Sequence, residues 1–271
     1  MPELPEVETV RRALAPILEG QCFTKVVIRQ PQLRWPVPKM LVHHLPGQHV
    51  KHIQRRGKYL LFQCGQGYLL IHLGMSGSLR LLSSASPPQK HDHLDFIFKN
   101  RQCLRYHDPR RFGCILWLHE SPWDHPLLAH LGPEPLERTF TGKYLYQQAQ
   151  GRRIAVKNYI MDAHQVVGVG NIYANEALFL AGIHPARCAG EISLAAYQKL
   201  VRCIKQVLRQ AIEQGGTTLR DYVTLTGQPG MFKYSLNVYG RDQEACMRCG
   251  TLIQHQKIGQ RSSYFCSHCQ K

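Results

Sequence analysis

Four cysteines near the end of the chain have the spacing of a metal-binding site. Two Cys-x2-Cys pairs, separated by 16 residues, contain Cys246, Cys249, Cys266 and Cys269. Each pair can place two thiolates on one tight turn, and two such turns complete the tetrahedral coordination that Zn²⁺ prefers. Because four thiolates leave no open coordination position, we predict one structural zinc. The tail is too short to fold around a core of its own, which disfavours the alternative of four unligated cysteines.

The start of the chain carries a second set of reactive groups. Removal of Met1 would leave Pro2 with a free secondary amine. An α-amino group titrates at about pH 8, so a useful fraction is neutral and nucleophilic at physiological pH. Glu3 and Glu6 lie three residues apart on one face of a predicted first helical turn, where a carboxylate can transfer protons. A structural alternative stays open, because proline and acidic residues are both favoured at a helix N-terminus.

Composition indicates a globular protein that binds a polyanion. Hydrophobic residues make up 44% of the 271 residues, which excludes a disordered chain. Lys and Arg total 34 against 18 Asp and Glu, a net charge of +16 that favours phosphate contacts through counterion release. A merely soluble basic protein is the alternative, and an anionic membrane is a weaker one. The chain has neither an apolar run of roughly 18 residues nor a secretory signal, so we expect a cytoplasmic protein.

The first third of the chain is predicted to be mostly β-structure. Short segments rich in Val, Ile, Leu, Phe and Tyr alternate with Gly, Pro, Ser and Asn. They lie near 22–29, 48–55, 59–64, 68–73, 78–82, 93–98, 102–106 and 114–118. Eight short strands at this spacing favour a sandwich or a flattened barrel. A helix over about 3–19 precedes them, with an apolar stripe formed by Val7, Val10, Leu14 and Ile17.

The sequence changes character after Trp123. A proline-rich stretch predicts a hinge between domains, and the pattern from about 141 onward is helical. The best predicted helix, 193–214, has a cap at Ser193 and one face of Tyr197, Leu200, Val201, Ile204, Val207, Leu208, Ala211 and Ile212. Shorter helices are expected near 154–161 and 172–181, and a hairpin between the cysteine pairs. The remaining cysteines are predicted to be buried thiols: Cys22, Cys64, Cys103, Cys114, Cys188 and Cys203.

Five motifs together resemble one enzyme family. They are PELPEVETVRR, LGMSG, DPRRFG, VVGVGNIYANE and the four-cysteine tail. In combination they are typical of the formamidopyrimidine-DNA glycosylase family, whose members are also called 8-oxoguanine DNA glycosylase or DNA-(apurinic or apyrimidinic site) lyase. The resemblance implies an α+β multi-domain fold: a catalytic β-sandwich with a flanking helix over 1–130, a helix-two-turns-helix domain over 131–240 and a zinc finger over 241–271. It also implies excision of oxidised purines from DNA in base excision repair, followed by β,δ-elimination of the abasic strand.

The resemblance assigns catalytic roles to five residues. Pro2 would attack the sugar and form a Schiff base, Glu3 would act as general acid and base, and Glu6 would support it. Lys58 would assist elimination and contact the backbone phosphate. Arg261 would extend from the zinc finger into the active site and assist the second elimination. For Lys58, a basic loop that only grips phosphates is a compatible alternative.

The resemblance also implies a set of DNA contacts. A flipped base leaves a gap in the duplex, which apolar side chains can fill, and it leaves the opposite base without a hydrogen-bond partner. The resemblance assigns these roles to Met75, Arg110 and Phe112. Others would contact phosphate or DNA more generally: His91, Arg111, Arg152, Lys157, Asn171 and Tyr239. Core packing is the alternative for an isolated Met or Phe. Arg152 and Arg220 stand where the family pattern has lysine, which leaves their contact geometry open. The segment 217–239 would cover the flipped base.

Two other functions remain open from the sequence. An endonuclease VIII-type relative would prefer oxidised pyrimidines, but such relatives usually lack the Leu4 pattern and the Met, Arg and Phe insertion set. A non-catalytic DNA-binding protein would be expected to have lost Pro2, Glu3 or Lys58, and all three are present. We therefore expect an enzyme that acts as a monomer on damaged double-stranded DNA. It should need no small-molecule cofactor and should associate with the bacterial nucleoid through DNA.

Overall fold

The computed structural model describes residues 2–217 and 231–271. Met1, Arg220 and the centre of the predicted covering segment lie outside the described residues. The chain divides into two compact units: Met1–Ala129 with Gln214–Met231, and His130–Glu213 with Phe232–Lys271. No helix within the described ranges has the length and the apolar character that crossing a membrane requires.

The first unit contains two four-stranded antiparallel sheets. One has the order β1-β6-β7-β5 and the other β2-β3-β4-β8. The strands are β1 (Phe23–Ile28), β2 (His52–Arg56), β3 (Tyr59–Cys64), β4 (Gly67–His72), β5 (Ser78–Ser83), β6 (Asp92–Phe98), β7 (Gln102–His107) and β8 (Cys114–Leu118). Apolar side chains from both sheets share one buried core. The predicted sandwich is therefore confirmed.

Helix α1 (Leu4–Leu18) packs into the same core, and a short helix α2 (Leu41–His44) follows β1. The predicted stripe of α1 is correct at three of its four positions. Ile17 is 37% exposed, whereas the next residue, Leu18, is fully buried. Leu18 is the residue that continues the 3.6-residue period from Val7 through Leu14, so it keeps the buried side of the helix. Cys22 also differs from its prediction as a buried thiol, because it is only half-buried.

The second unit is helical apart from one hairpin. Its helices are α3 (Gly142–Ala149), α4 (Val156–Met161), α5 (Asn171–Ala181) and α6 (Leu194–Glu213). All eight apolar positions predicted for the face of α6 are buried. The Ser193 hydroxyl accepts the amide N–H of Ala196 at 3.2 Å and caps α6, as predicted. Cys188 is half-buried rather than buried.

The hairpin joins β9 (Gln254–Ile258) to β10 (Arg261–Phe265) and lies between the two cysteine pairs. Its turn, Gly259 and Gln260, has φ of +55° and +65°, the left-handed geometry of a tight two-residue hairpin. Arg261 is the first residue of β10, directly after the turn, and its side chain is exposed.

Candidate functional site

Pro2 lies outside helix α1, before its N-cap residue. The helix begins at Leu4 with Glu3 as its N-cap, and Pro5 occupies the first turn. Pro5 therefore takes the position at which a proline stabilises a helix start, so this structural explanation does not account for Pro2. Pro2 and Glu3 are both buried within the first unit.

Glu6 connects this helix start to the chain that follows α6. One carboxylate oxygen accepts the amide N–H of Glu3 at 2.7 Å, and the other accepts the amide N–H of Thr217 at 2.8 Å. Gly216 lies so close that an added Cβ would be 2.9 Å from the same carboxylate, and its φ of +83° favours glycine. The side chain is 1% exposed, so both bonds form away from water.

Lys58 is placed by an ion-pair cluster that the sequence did not predict. Glu8 is buried in α1, and its carboxylate accepts hydrogen bonds from Arg11, Arg12 and Arg55 at 2.8–3.0 Å. Arg55 in turn donates to the carbonyl of Gly57 at 2.9 Å, in the turn between β2 and β3 that contains Lys58. The signal in the sequence is an acidic residue with arginines three and four positions later.

Glu8→Gln is expected to destabilise the first unit. Burial raises the pKa of the Glu8 carboxyl, but hydrogen bonds from Arg11 and Arg12 and the charges of Arg11 and Arg55 outweigh it and lower the pKa from 4.5 to about 2. Because the folded-state pKa is depressed, this stability is present above pH 4.5 and is lost as pH falls toward 2. Discounted for screening by water, the shift corresponds to about 1 to 2 kcal/mol.

Urea unfolding between pH 2 and 7 would measure this difference. The Glu8→Gln variant should show a flatter pH dependence than the unmodified protein across that window. Glu120→Gln, at an exposed position, is the matched control and should follow the unmodified protein. Equal unfolding curves for the Glu8 variant and the control at pH 7 would contradict the expectation.

His72 is a further residue of this region that the sequence analysis missed. It lies at the end of β4, opposite Tyr59 in the pairing of β3 with β4, and its Nδ1 accepts the amide N–H of Gly74 at 3.0 Å. Burial lowers the pKa of His72, and the positive charges of Lys58 and Arg34 lower it further, to about 4. The ring is therefore neutral at pH 7 and carries its proton on Nε2. It fixes the start of the loop that contains Met75.

A buried carboxylate joins the two loops that contain the predicted gap-filling residues. Asp108 is fully buried and accepts hydrogen bonds from the Ser76 hydroxyl at 2.7 Å and the Gly113 N–H at 2.9 Å. The Ser76 hydroxyl also accepts the Arg110 N–H at 3.2 Å. The backbones touch, since a Cβ on Gly74 would lie 2.4 Å from the Gly113 nitrogen. Asp108 is part of the DPRRFG motif, but its role in joining the two loops becomes visible only when the position of Ser76 in the other loop is known.

The gap-filling candidates lie on the surface of the first unit. Met75 is 37% exposed and Phe112 is 43% exposed, so core packing does not explain them. The Arg110 guanidinium lies 4.8 Å from the centre of the Phe112 ring, in cation–π contact. Arg111 is exposed with φ of +56°, which keeps the turn tight. His91 is half-buried at φ of +72°, 6.0 Å from the ring of His107.

Lys157 and Asn171 meet in the second unit at the start of β10, next to the hairpin turn. The Lys157 ammonium donates to the Ser262 carbonyl at 2.7 Å and to the Ser263 hydroxyl at 2.6 Å. The Asn171 amide donates to the same Ser262 carbonyl at 3.1 Å. Lys157 is 0% exposed, whereas the predicted contact with phosphate requires an exposed cation.

Tyr239 and Arg152 lie elsewhere in the second unit. Tyr239 is half-buried, its ring is 5.1 Å from that of Tyr264, and its N–H donates to the Glu176 carboxylate at 2.9 Å. Glu176 is 1% exposed and also accepts the N–H groups of Asn237 and Val238, so it orders this segment. Sequence reasoning missed Glu176, although it ends the VVGVGNIYANE motif. Arg152 is exposed.

The four cysteines fit a tetrahedral zinc. Their sulfurs all lie within 4.8 Å of one another, with individual separations of 3.5 Å and 4.0 Å. Ligands at about 2.3 Å in a tetrahedron give sulfur separations of about 3.8 Å, which agrees with this geometry. Cys246 and Cys266 pack with Phe179, Val238 and Ile253 in a small core. The predicted structural zinc is therefore supported by both donor set and geometry.

Family profiles match three parts of the chain. The formamidopyrimidine-DNA glycosylase N-terminal domain matches residues 1–115, the H2TH domain of the same proteins matches 131–223, and the zinc finger found in FPG and IleRS matches 243–271. Curated proteins named formamidopyrimidine-DNA glycosylase are 58% identical in Magnetococcus marinus and 56% identical in Methylococcus capsulatus, each over 100% of both chains.

Solved structures show the same similarity in three dimensions. A Lactococcus lactis FPG variant in complex with Fapy-dG-containing DNA superposes with a TM-score of 0.92 at 35% identity, over 100% of both chains. MutM in complex with DNA containing carbocyclic 8-oxo-G gives 0.91 at 36% identity, over 100% of both chains. MutM (FPG) from Thermus thermophilus gives 0.89 at 37% identity, over 99% of this chain and 98% of that one.

Proposed function

The chain belongs to the formamidopyrimidine-DNA glycosylase family, and on that premise we propose that it excises oxidised purines from duplex DNA and then cleaves the abasic strand. The observation that carries the proposal is the position of Pro2. It precedes the N-cap of α1 and adjoins a buried Glu3, whose neighbour Glu6 fixes the helix start. Family relatives bound to DNA with an oxidised or ring-opened purine support the substrate class.

The proposed excision begins once Met1 has been removed. The Pro2 nitrogen forms a bond to C1′ of the sugar as the glycosidic bond breaks. The base leaves with the electron pair of the glycosidic bond and takes up the proton that the Pro2 nitrogen loses. Protonation of the ring oxygen by Glu3 opens the sugar and gives an iminium ion. Its C=N⁺ bond is an electron sink, so the C2′ proton becomes acidic. Glu3, now a carboxylate, can exchange protons at the sugar.

Strand cleavage follows from the same intermediate. Removal of the C2′ proton sends its electron pair toward the iminium and expels the 3′ phosphate, which is the β-elimination. Removal of the C4′ proton then drives the δ-elimination, which expels the 5′ phosphate, and hydrolysis of the imine releases the sugar fragment and frees Pro2. We assign Lys58 to the phosphate and the first elimination, and Arg261 to the second. Cys246, Cys249, Cys266 and Cys269 would hold the zinc, which with four thiolate ligands would have a structural role in the finger that carries Arg261.

Base extrusion is assigned to the exposed loop pair of the first unit. Extruding a base leaves a gap that must be filled, and the adjacent loops present a thioether and a ring with a guanidinium stacked on it, at Met75, Phe112 and Arg110. Arg111, His91, Arg152, Asn171 and Tyr239 remain proposed contacts to the DNA. The net charge of +16 supports a polyanionic partner. Action as a monomer and location at the nucleoid remain predictions.

Borohydride trapping tests the proposal. Reduction of the iminium should leave a covalent adduct on a duplex containing 8-oxoguanine or a ring-opened purine, and peptide mapping should place it on Pro2. Matched duplexes with an oxidised pyrimidine or no lesion should give little adduct. Preferential trapping on the pyrimidine would favour the endonuclease VIII-type function instead, and lesion binding without any adduct would mean a non-catalytic DNA-binding protein.

A further inference from the structure

Lys157 is a fully buried cation that donates hydrogen bonds to the zinc-finger hairpin. It lies in α4, and its ammonium is 2.7 Å from the Ser262 carbonyl oxygen and 2.6 Å from the Ser263 hydroxyl oxygen. Burying an ammonium without acceptors carries a large free-energy cost. These two acceptors come from β10, more than a hundred residues later in the chain, so the ammonium links α4 to the docked hairpin.

Other contacts from α4 and α5 reach the same hairpin. Asn171, the first residue of α5, donates to the Ser262 carbonyl at 3.1 Å. Asn175, one turn later, accepts the N–H of Tyr264 at 2.8 Å. In the turn, a Cβ on Gly259 would lie 2.0 Å from the Asn158 amide nitrogen, so α4 also abuts the backbone there. Hydrogen bonds therefore hold the residues that follow Arg261 in β10, and α4 lies close to the turn that precedes it.

We propose that Lys157 is a positioning residue for Arg261 and does not itself touch the DNA. Its ammonium is held at the carbonyl of Ser262, the residue adjacent to Arg261, and it has no exposed surface from which to meet a phosphate. Arg261 is exposed at the start of β10, so its backbone determines where the guanidinium can reach. The inference rests on the proposed function, in which Arg261 assists the second elimination.

The test compares Lys157→Met with Arg152→Ala in the full-length, zinc-loaded protein. Methionine keeps most of the length of the side chain without its charge, and Arg152 is an exposed cation of the same unit. The slope of log affinity against log salt should be unchanged for Lys157→Met, whereas Arg152→Ala should lower it by about 0.9, the value for one released counterion.

Product analysis on an abasic duplex supplies the second readout. The ratio of the δ-elimination rate to the β-elimination rate should fall about 10- to 100-fold in Lys157→Met, because small misplacements of a reacting group have effects of that size. Ser263→Ala, which removes one acceptor of the ammonium, should lower the same ratio by a smaller factor. Zinc content should stay at one ion per chain in both variants.

Three results would overturn the inference. A salt slope lowered by about 0.9 in Lys157→Met would mean that the ammonium meets a phosphate after all. An unchanged elimination ratio would mean that it does not position Arg261. Loss of zinc from both Lys157→Met and Ser263→Ala would mean that the contact supports folding of the finger. The proposed function fails separately: an Arg261→Gln variant that keeps the elimination ratio of the unmodified protein would remove Arg261 from the second elimination whatever Lys157 does.

Discussion

A chain that keeps Met1 should neither excise a base nor form a borohydride-trapped adduct. With Met1 attached, the Pro2 nitrogen is a tertiary amide: its lone pair is delocalised into the carbonyl, and it cannot become an iminium nitrogen. Both excision and strand cleavage need that nitrogen, so both should fall to background. The effect is all or nothing, because no general-base contribution of Glu3 can replace a missing nucleophile.

The measurement pairs mass spectrometry of the N-terminus with trapping on an 8-oxoguanine duplex. Processed chain with Pro2 exposed should be trapped, whereas the Met1-bearing chain should not. Pro2→Gly, also processed, is the matched control: it retains a primary amine and should keep part of the lyase activity. An adduct mapped to Pro2 in a chain that still carries Met1 would show that the proposed mechanism is wrong.

Removing one zinc ligand should have the second largest effect. Cys249→Ser leaves three thiolates for an ion whose structural sites have four ligands, and structural zinc contributes about 10–16 kcal/mol to the folding of small metal-binding domains. The hairpin of β9 and β10 should therefore unfold together with the small core around Cys246 and Cys266. Arg261 would lose its position, and lesion-DNA affinity should fall about 100-fold or more, equivalent to about 3 kcal/mol.

Zinc content, near-ultraviolet circular dichroism and a titration with lesion DNA would measure these effects together. The β-sandwich should remain folded, because its core is made of residues from the first unit alone. Cys188→Ser is the matched control, since Cys188 is a half-buried thiol of the second unit outside the four-cysteine cluster. A Cys249→Ser protein that lost its zinc and still bound lesion DNA with unchanged affinity would show that the finger is dispensable.

Local patterns predicted most of the secondary structure because they report local physics. The eight strands were placed within a few residues of their observed bounds, with β2 the largest offset at its start. The face of α6 was correct at every position because burial on a long amphipathic helix follows the 3.6-residue period. The errors, such as Ile17 for Leu18, occur where adjacent apolar residues both fit the period. Cys22 and Cys188 were predicted too buried since residue type alone does not measure exposure.

The functional residues also divide into those that a local pattern identifies and those whose role depends on distant contacts. The cysteine spacing by itself predicted the zinc site, because two Cys-x2-Cys turns can bring four thiolates into one tetrahedron, and the structure places the four sulfurs together. The roles of Asp108 and Glu176 could not be derived from the sequence, since each carboxylate accepts hydrogen bonds from a distant part of the chain. For Glu8 the local pairs with Arg11 and Arg12 leave a signal in the sequence, but the link to Arg55 does not.

Lys157 shows most directly what only the tertiary structure decided. In the sequence it is one of 34 basic residues, and the family resemblance assigned it a contact with phosphate. The fold instead buries it completely and places two oxygen acceptors of β10 against its ammonium. A sequence records the charge of a side chain, but whether that charge faces water, a ligand or another strand depends on contacts between segments far apart in the chain, and those exist only after folding.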